Sequence, residues 1–329
     1  MTEHVPVLLE RVVDIFRTCL SQNSGPNWKL VDATLGLGGY SGELLRSFGS
    51  AQIYALDRDK AALDQASTKL SEFGTQFRSF HANFGDIEDV VGKDAPFDGF
   101  VFDLGVSNLQ LSEAERGFSF QNDGPLDMRM NPDGGGETAA ALLERPDAQA
   151  LAEIFWTYGE ERFSRRIAAK IKEAVLKGAP PRRTEELVAL IRETLPAPVQ
   201  RKMGTHPARR VFQALRIYLN DELSELESAL AATKKLAAPG AVLIVVSYHS
   251  LEDRIVKRTF REWDKEKKLG MVLTRHPEIP DDEEIEQNFK ARSAKLRAFK
   301  FAGNDDLSEI TGTKARPGRR QSGRYRSRG

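Results

Sequence analysis

The sequence is poor in cysteine, histidine and long apolar runs, and each shortage removes a class of function. A single cysteine, Cys19, among 329 residues excludes an internal disulfide framework and any multi-cysteine metal site. It falls in the stripe Val12, Ile15, Phe16, Cys19 of an early helix and reads as core filler rather than as a catalytic thiol. Five scattered histidines show no ligand spacing, so no metal site is expected. No apolar run approaches the length needed to span a membrane. The first residues are acidic and histidine-bearing where a signal peptide would be basic and then apolar. The expectation is a cytoplasmic protein with no membrane partner.

Net charge is also missing, with 48 basic against 48 acidic residues. That balance hides an asymmetry. Residues 312–329 carry Lys314, Arg316, Arg319, Arg320, Arg324, Arg326 and Arg328 and no acid, which leaves the remainder at about −7. The segment is rich in Gly, Arg and Ser, so it is expected to be a disordered basic tail. A cationic arm with one tyrosine suits a phosphate backbone. Contact with RNA is favoured over a mere solubility tail, because six of its seven cations are arginine and arginine forks match phosphate.

What is present is a β-α-β-α rhythm. An amphipathic helix over 7–20 precedes a strand at 29–34, the loop Gly36-Leu-Gly-Gly39 and a helix from about Ser41. Strands follow at 52–57, 76–82 and 98–103, with a helical stripe at 63, 66, 70 and 73 between the first two. The rhythm predicts an α/β fold with a parallel, doubly wound sheet. It breaks after about 111. Residues 138–178 and 184–195 are helical by pattern, with Phe163, Ile167, Ile171 and Val175 recurring every fourth residue. A long helix from Thr205-His-Pro207 to about Leu236 leads back to a strand at 241–247, and 271–275 and 294–301 predict an antiparallel edge around an acidic loop at 280–286. The domain expectation is a discontinuous sheet body, 1–111 with 205–311, a helical insertion over 112–204 for substrate, and the tail 312–329.

Two strand ends carry the chemistry. Asp32-Ala-Thr-Leu-Gly36-Leu-Gly38-Gly39-Tyr40-Ser41 follows the first strand. It departs from a dinucleotide fingerprint, since Ser41 stands where a third glycine belongs. Asp57 ends the second strand 21 residues after Gly36, a spacing that suits a carboxylate accepting from ribose hydroxyls. Asp57 marks an adenosine ligand without saying which. Asp32 tips the choice, since an acid there repels a pyrophosphate but suits the ammonium and sulfonium of S-adenosylmethionine. Asp98 to Gln110 is the second strand end. Asp103, Ser107 and Gln110 are expected at the rim of a cofactor crevice, though Ser107 reads equally well as a helix cap.

These residues resemble a known family. The pattern His4 to Leu9, Asp32 to Gly39, Asp98 to Gln110, Arg116 to Phe120, Gly124 to Met130, Tyr158 to Glu161, His206 to Arg209, Phe212 to Ile217, Ser247 to Arg254 and Arg292 to Arg297 is similar to that of the bacterial small-subunit ribosomal RNA cytosine-N4 methyltransferases, the MraW or RsmH family. The resemblance covers nearly the whole chain except the tail. It implies a Rossmann-like class I S-adenosylmethionine-dependent methyltransferase sheet with an inserted helical domain. It implies that Gly38, Gly39, Tyr40, Asp57, Phe84, Asp103 and Gln110 line the cofactor site. The sequence departs from the family pattern at Tyr40, Asn108 and Asn288-Phe-Lys290, where the family has His, Ser and Asn-Pro-Arg. The partner implied is small-subunit ribosomal RNA or the ribosomal subunit, and a homodimer is compatible with it.

Methylating the N4 amine of cytosine needs no covalent adduct. It needs an acceptor near the amine and in-line approach to the sulfonium methyl, which is a positioning task. Methylation at the fifth ring carbon would need an activated thiol, and Cys19 is badly placed to supply one. Asp103 is expected to anchor the methionine portion of the cofactor or orient the amine. Ser107 and the backbone of Leu104 to Val106 are expected to accept from the amine. Tyr248 is placed to stack on an extruded base. His249 reads equally as a base or phosphate contact and as a structural histidine ahead of a helix. Arg182, Arg183, Arg201, Lys202, Arg209 and Arg210 form a candidate phosphate rim, with ordinary solvated charge the alternative and the favoured reading for Arg182 and Arg183. Competing readings are a DNA amino-methyltransferase, a nicotinamide oxidoreductase and an RNA-binding assembly protein that merely retains the cofactor.

Overall fold

The computed structural model describes residues 5–20, 27–145, 147–266 and 269–303. The basic tail therefore lies outside the described residues, as does His4. Among the described residues, seven strands form one sheet: β1 (Lys29–Asp32), β2 (Gln52–Asp57), β3 (Phe77–His81), β4 (Phe97–Asp103), β5 (Ala237–Ser247), β6 (Gly270–Val272) and β7 (Lys295–Phe301). Their order across the sheet is β3-β2-β1-β4-β5-β7-β6. The first five are mutually parallel, while β7 runs antiparallel to both β5 and β6. This is a doubly wound, Rossmann-like α/β sheet with the expected antiparallel edge.

A sheet covered on both faces reads as continuous apolar strands, because both side-chain directions are buried. In β4 and β5 the period of two is plain. Val101, Val242, Ile244 and Val246 face one core, packed on Val12 and Phe16 of the helix Leu9–Leu20 and on Leu44 of the helix Gly39–Ser47. Phe100, Phe102, Leu243 and Val245 face the other, packed on Leu226 and Leu230 of the helix Glu222–Leu236 and on Val256 and Phe260 of the helix Ser250–Lys265. Cys19 is a half-buried neighbour of the first core, the filler role expected of it.

A third core lies apart from the sheet. Leu142, Phe155, Ile167, Ile171, Leu187 and Ile191 build it from the helices Ala139–Glu144, Ala148–Gly159, Ser164–Leu176 and Thr184–Thr194. The structure departs from expectation at the return to the sheet. The helix expected over 205–236 is two helices, Arg209–Asn220 and Glu222–Leu236, broken at Asp221 with φ 49° and ψ 35°. Asp is among the few residues that enter this left-handed region at modest cost. The break has a packing cause. Val211, Phe212, Ala214 and Leu215 face the third core, whereas Leu226, Ala229 and Leu230 face the sheet, and one straight helix cannot serve both. The segment expected to be an acidic loop also contains a helix, Asp282–Gln287, capped by Asp281 and so started by its own acids.

Asn220 secures the break. Its Nδ2 donates to the carbonyls of Met128 (2.8 Å) and Arg216 (2.9 Å), and its Oδ1 accepts from the Met130 amide at 2.8 Å. Met128 needs such support, since its φ is 62°. Asn220→Ala strands a buried amide and a buried carbonyl, so it is expected to lower unfolding free energy by about 2–3 kcal/mol. Urea denaturation checks this, and a loss under about 0.5 kcal/mol, the range of an ordinary surface substitution, would count against it.

Candidate active site

The carboxyl ends of β1, β2, β4 and β5 open into a crevice of about 380 Å³, within the size range of small-ligand sites. Its first wall is the loop after β1. Gly36 lines the crevice at φ 51°, and the space where a Cβ would stand is open. A side chain there is strained and would fill the crevice. Gly39 and Tyr40 also line it. Tyr40 is buried and its hydroxyl donates to the carbonyl of Val7. Gly38 does not reach the crevice wall. Its Cβ position lies 2.9 Å from Leu70, so it lets the loop close on its own helix layer.

Asp57 ends β2 in the same wall. Its Oδ2 accepts from the Gly36 amide at 2.7 Å and its Oδ1 from the Asp59 amide at 2.8 Å. Each oxygen keeps a further lone pair for a hydroxyl. Burial pushes the carboxyl up to about 6 despite those bonds. Phe84 supplies an apolar face nearby, edge-on to Phe102 at 6.0 Å. Arg58, which the sequence gave no reason to single out, reaches from the crevice to the Asn220 carbonyl at 3.0 Å.

The end of β4 forms the opposite wall. The Asp103 amide donates to Thr34 Oγ1 at 2.6 Å, and its Oδ1 accepts from the Tyr248 hydroxyl at 2.6 Å. Burial raises Asp103 to about 6, against the lowering effect of that phenol. Ser107 lines the crevice while capping the helix Asn108–Ser112. Its Oγ accepts from the Gln110 amide at 3.2 Å and Gln110 Oε1 accepts from the Ser107 amide at 3.0 Å, so the capping role is present whatever else the hydroxyl does. Gln110 lines the crevice and also braces it. Its Nε2 donates to Asp59 Oδ2 at 2.9 Å, which accepts from Arg116 as well at 2.8 Å.

Tyr248, at the end of β5, lines the crevice, but its hydroxyl is committed to Asp103. The two residues were expected to act separately and are one unit. His249 is not on the crevice wall. Its Nδ1 accepts from the Glu252 amide at 3.3 Å as the cap of the helix Ser250–Lys265, which is the structural alternative. Its Nε2 lies 3.2 Å from Glu252 Oε1 without hydrogen-bond alignment. With Glu222 these form a cluster of metal-type donors, yet Arg216 grips both Glu222 oxygens at 2.7 Å.

Asp32 also departs from its expected place. It is buried behind the glycine loop, bonded to Ser41 Oγ at 2.7 Å and to the Thr34 amide at 3.3 Å, and meets no ligand space. Of the candidate rim, Arg182 pairs with Glu144 and Arg183 with Asp123, while Arg201, Lys202 and Arg209 are exposed. Lys290, marked in the sequence only as a departure from the family pattern, is with Arg58 a crevice group that was not among the expected site residues. It lines the crevice from the 3₁₀ turn Phe289–Ser293, and its position beside β4 is set by tertiary pairing alone.

Burial, with Asp103 and Asp57 nearby, lifts Asp32 to about 7, above the value of about 3.9 for an unfolded Asp. Protonation therefore favours the fold, fully below pH ~4, and this contribution is lost as pH rises through ~7. Asp32→Asn mimics the neutral acid at every pH. Its stability relative to the parent is expected to grow between pH 4 and 7 and then level off. Thermal melts across that range test it, and a pH-independent difference would refute it.

Residues 1–302 match the model of the MraW methylase family. Ribosomal RNA small subunit methyltransferase H of Beutenbergia cavernae is 43% identical over 310 residues, covering 90% of this chain and 91% of that one. The protein of the same name from Gloeobacter violaceus is 45% identical over 296 residues, covering 90% and 87%. That from Thermobifida fusca is 44% identical over 313 residues, covering 90% and 92%.

Proposed function

The chain belongs to the MraW methylase family, and from that membership we propose that it methylates the N4 amine of one cytidine in small-subunit ribosomal RNA, near the decoding centre, with S-adenosylmethionine as donor. The observation that carries the reading is the pairing of a bare glycine-loop backbone and ribose-type acid, Gly36 and Asp57, with a second acid, Asp103, across one crevice. The names of the relatives, all ribosomal RNA small subunit methyltransferases, support the acceptor class.

The residues fit the cofactor. Asp57 has lone pairs for ribose hydroxyls, Phe84 offers an apolar face for adenine, and Asp103 is a half-buried carboxylate for the methionine ammonium. When bound, S-adenosylmethionine supplies a methyl group on a positive sulfur that a nucleophile displaces in line. The protein's part is orientation. The carbonyls of Leu104 to Val106 hold the amine protons, Ser107 adds an acceptor at the rim, and Tyr248 holds Asp103 in place. The crevice wall has no thiol, since Cys19 lies on the helix Leu9–Leu20, so transfer is direct and passes through no enzyme–base adduct.

We assign RNA recognition to the helical part, residues 112–204 with the helix Arg209–Asn220. Its exposed Arg201, Lys202 and Arg209 are available for phosphate. Nucleoside mass spectrometry of small-subunit RNA, from cells with and without the gene and after add-back of protein and S-adenosylmethionine, tests the reading. Loss and recovery of one N4-methylcytidine is the expected result. Recovery of product only in DNA, or no product, would overturn it. Asp57→Ala is expected to weaken S-adenosylhomocysteine binding at least tenfold by calorimetry, whereas an unchanged affinity would remove Asp57 from the ribose site.

A further inference from the structure

We propose that Lys290 is a positioning residue of the transfer site, whose ammonium fastens the loop after β4 in the shape that presents Asp103 and Ser107. This rests on the methyltransferase reading for its kinetic consequences, and on geometry alone for its structural ones. The turn Phe289–Ser293 enters the crevice from the β7 side of the sheet, and Lys290 Nζ donates to the Val106 carbonyl at 2.5 Å across 184 residues of sequence. The loop it meets turns on Gly105 at φ 93°, a permissive residue between the Leu104 amide, bonded to the Val246 carbonyl at 2.9 Å, and the Ser107 amide, bonded to Gln110 Oε1 at 3.0 Å. The same ammonium lies 5.9 Å from the centre of the Tyr248 ring, within cation–π reach. Tyr248 in turn holds Asp103. One cation thus contacts both supports of the crevice acid, the loop that follows it and the phenol that orients it.

The contact is charge-assisted and therefore stronger than a neutral hydrogen bond. The ionisable groups facing Lys290 are Asp103 from β4, the Tyr248 phenol at the end of β5 and Arg216 from the helix Arg209–Asn220. Burial and Arg216 act against the ammonium and Asp103 acts for it, and Lys290 is lowered to about 8. The fastening loses its charge above that pH. An arginine would keep it, since guanidinium stays protonated throughout.

Lys290→Met and Lys290→Arg separate this role from the alternatives. In the free protein, hydrogen–deuterium exchange should show protection over 104–108 falling about tenfold in Lys290→Met and restored in Lys290→Arg. With small-subunit RNA, Lys290→Met should lower kcat 30- to 100-fold while S-adenosylhomocysteine affinity stays within threefold. Lys290→Arg should keep at least a third of kcat and move the alkaline limb of the kcat profile up by a pH unit or more. Unchanged loop protection together with an unmoved alkaline limb overturns the proposal. So does a tenfold loss of S-adenosylhomocysteine affinity with the loop unchanged, which would make Lys290 a cofactor carboxylate ligand. If the unaltered protein methylates no RNA while loop protection follows residue 290, the positioning role stands and the acceptor assignment falls.

Discussion

Parallel pairing is the constraint on which the rest of the molecule depends. Because β2, β1, β4 and β5 run the same way, all four must release the chain at one edge, and none can be joined to the next by a tight turn. Asp57, Asp103 and Tyr248 are brought together by that rule, although 145 residues separate the last two. The same rule makes the loops polar where the strands are apolar, since a loop carries backbone groups that no ladder satisfies. The crevice is what remains between four such loops, and its acids are raised to about 6 by burial there.

The fold was legible because its signals are local. Apolar alternation in β4 and β5, and glycines beside an acid-ended strand, depend on neighbours in sequence. Asp57, Phe84, Asp103, Gln110 and Tyr248 fell on the crevice for the same reason, with the family pattern supplying Phe84. What escaped is long-range. No local pattern shows that Lys290 turns back onto Val106, or that Arg58 ends on the Asn220 carbonyl. Asp32 was misplaced because spacing gives proximity to a loop but not the side of it. The broken helix at Asp221 was missed because both halves are amphipathic, and only the cores they face differ.

Several residues hold two duties at once. Ser107 and Gln110 cap a short helix reciprocally and also form crevice wall. The capping box sets the entry angle of the helix Asn108–Ser112, so the wall inherits its shape from a helix start. Arg116 extends the arrangement, bonding Asp59 at one end and the Met130 carbonyl at the other (3.0 Å). Charge buried in this way holds only while each partner is present, because a lone buried ion is strongly unfavourable. The base of the crevice is therefore a connected polar frame rather than a set of independent contacts.

The bracket at Asn220 has an architectural consequence. Met130 and Asn220 stand 90 residues apart and are joined by one hydrogen bond of 2.8 Å. From the side of the sheet, everything between them is a single excursion whose two ends already meet. Closing a loop costs chain entropy that grows only slowly with its length. A body whose excursion begins and ends at one pinned point can accept a longer, shorter or differently folded one with little disturbance to itself. The helical part is thus pinned to the body at Asn220 and braced a second time where Glu160 bonds Ser250 and Arg254, so an exchange would have to keep both contacts.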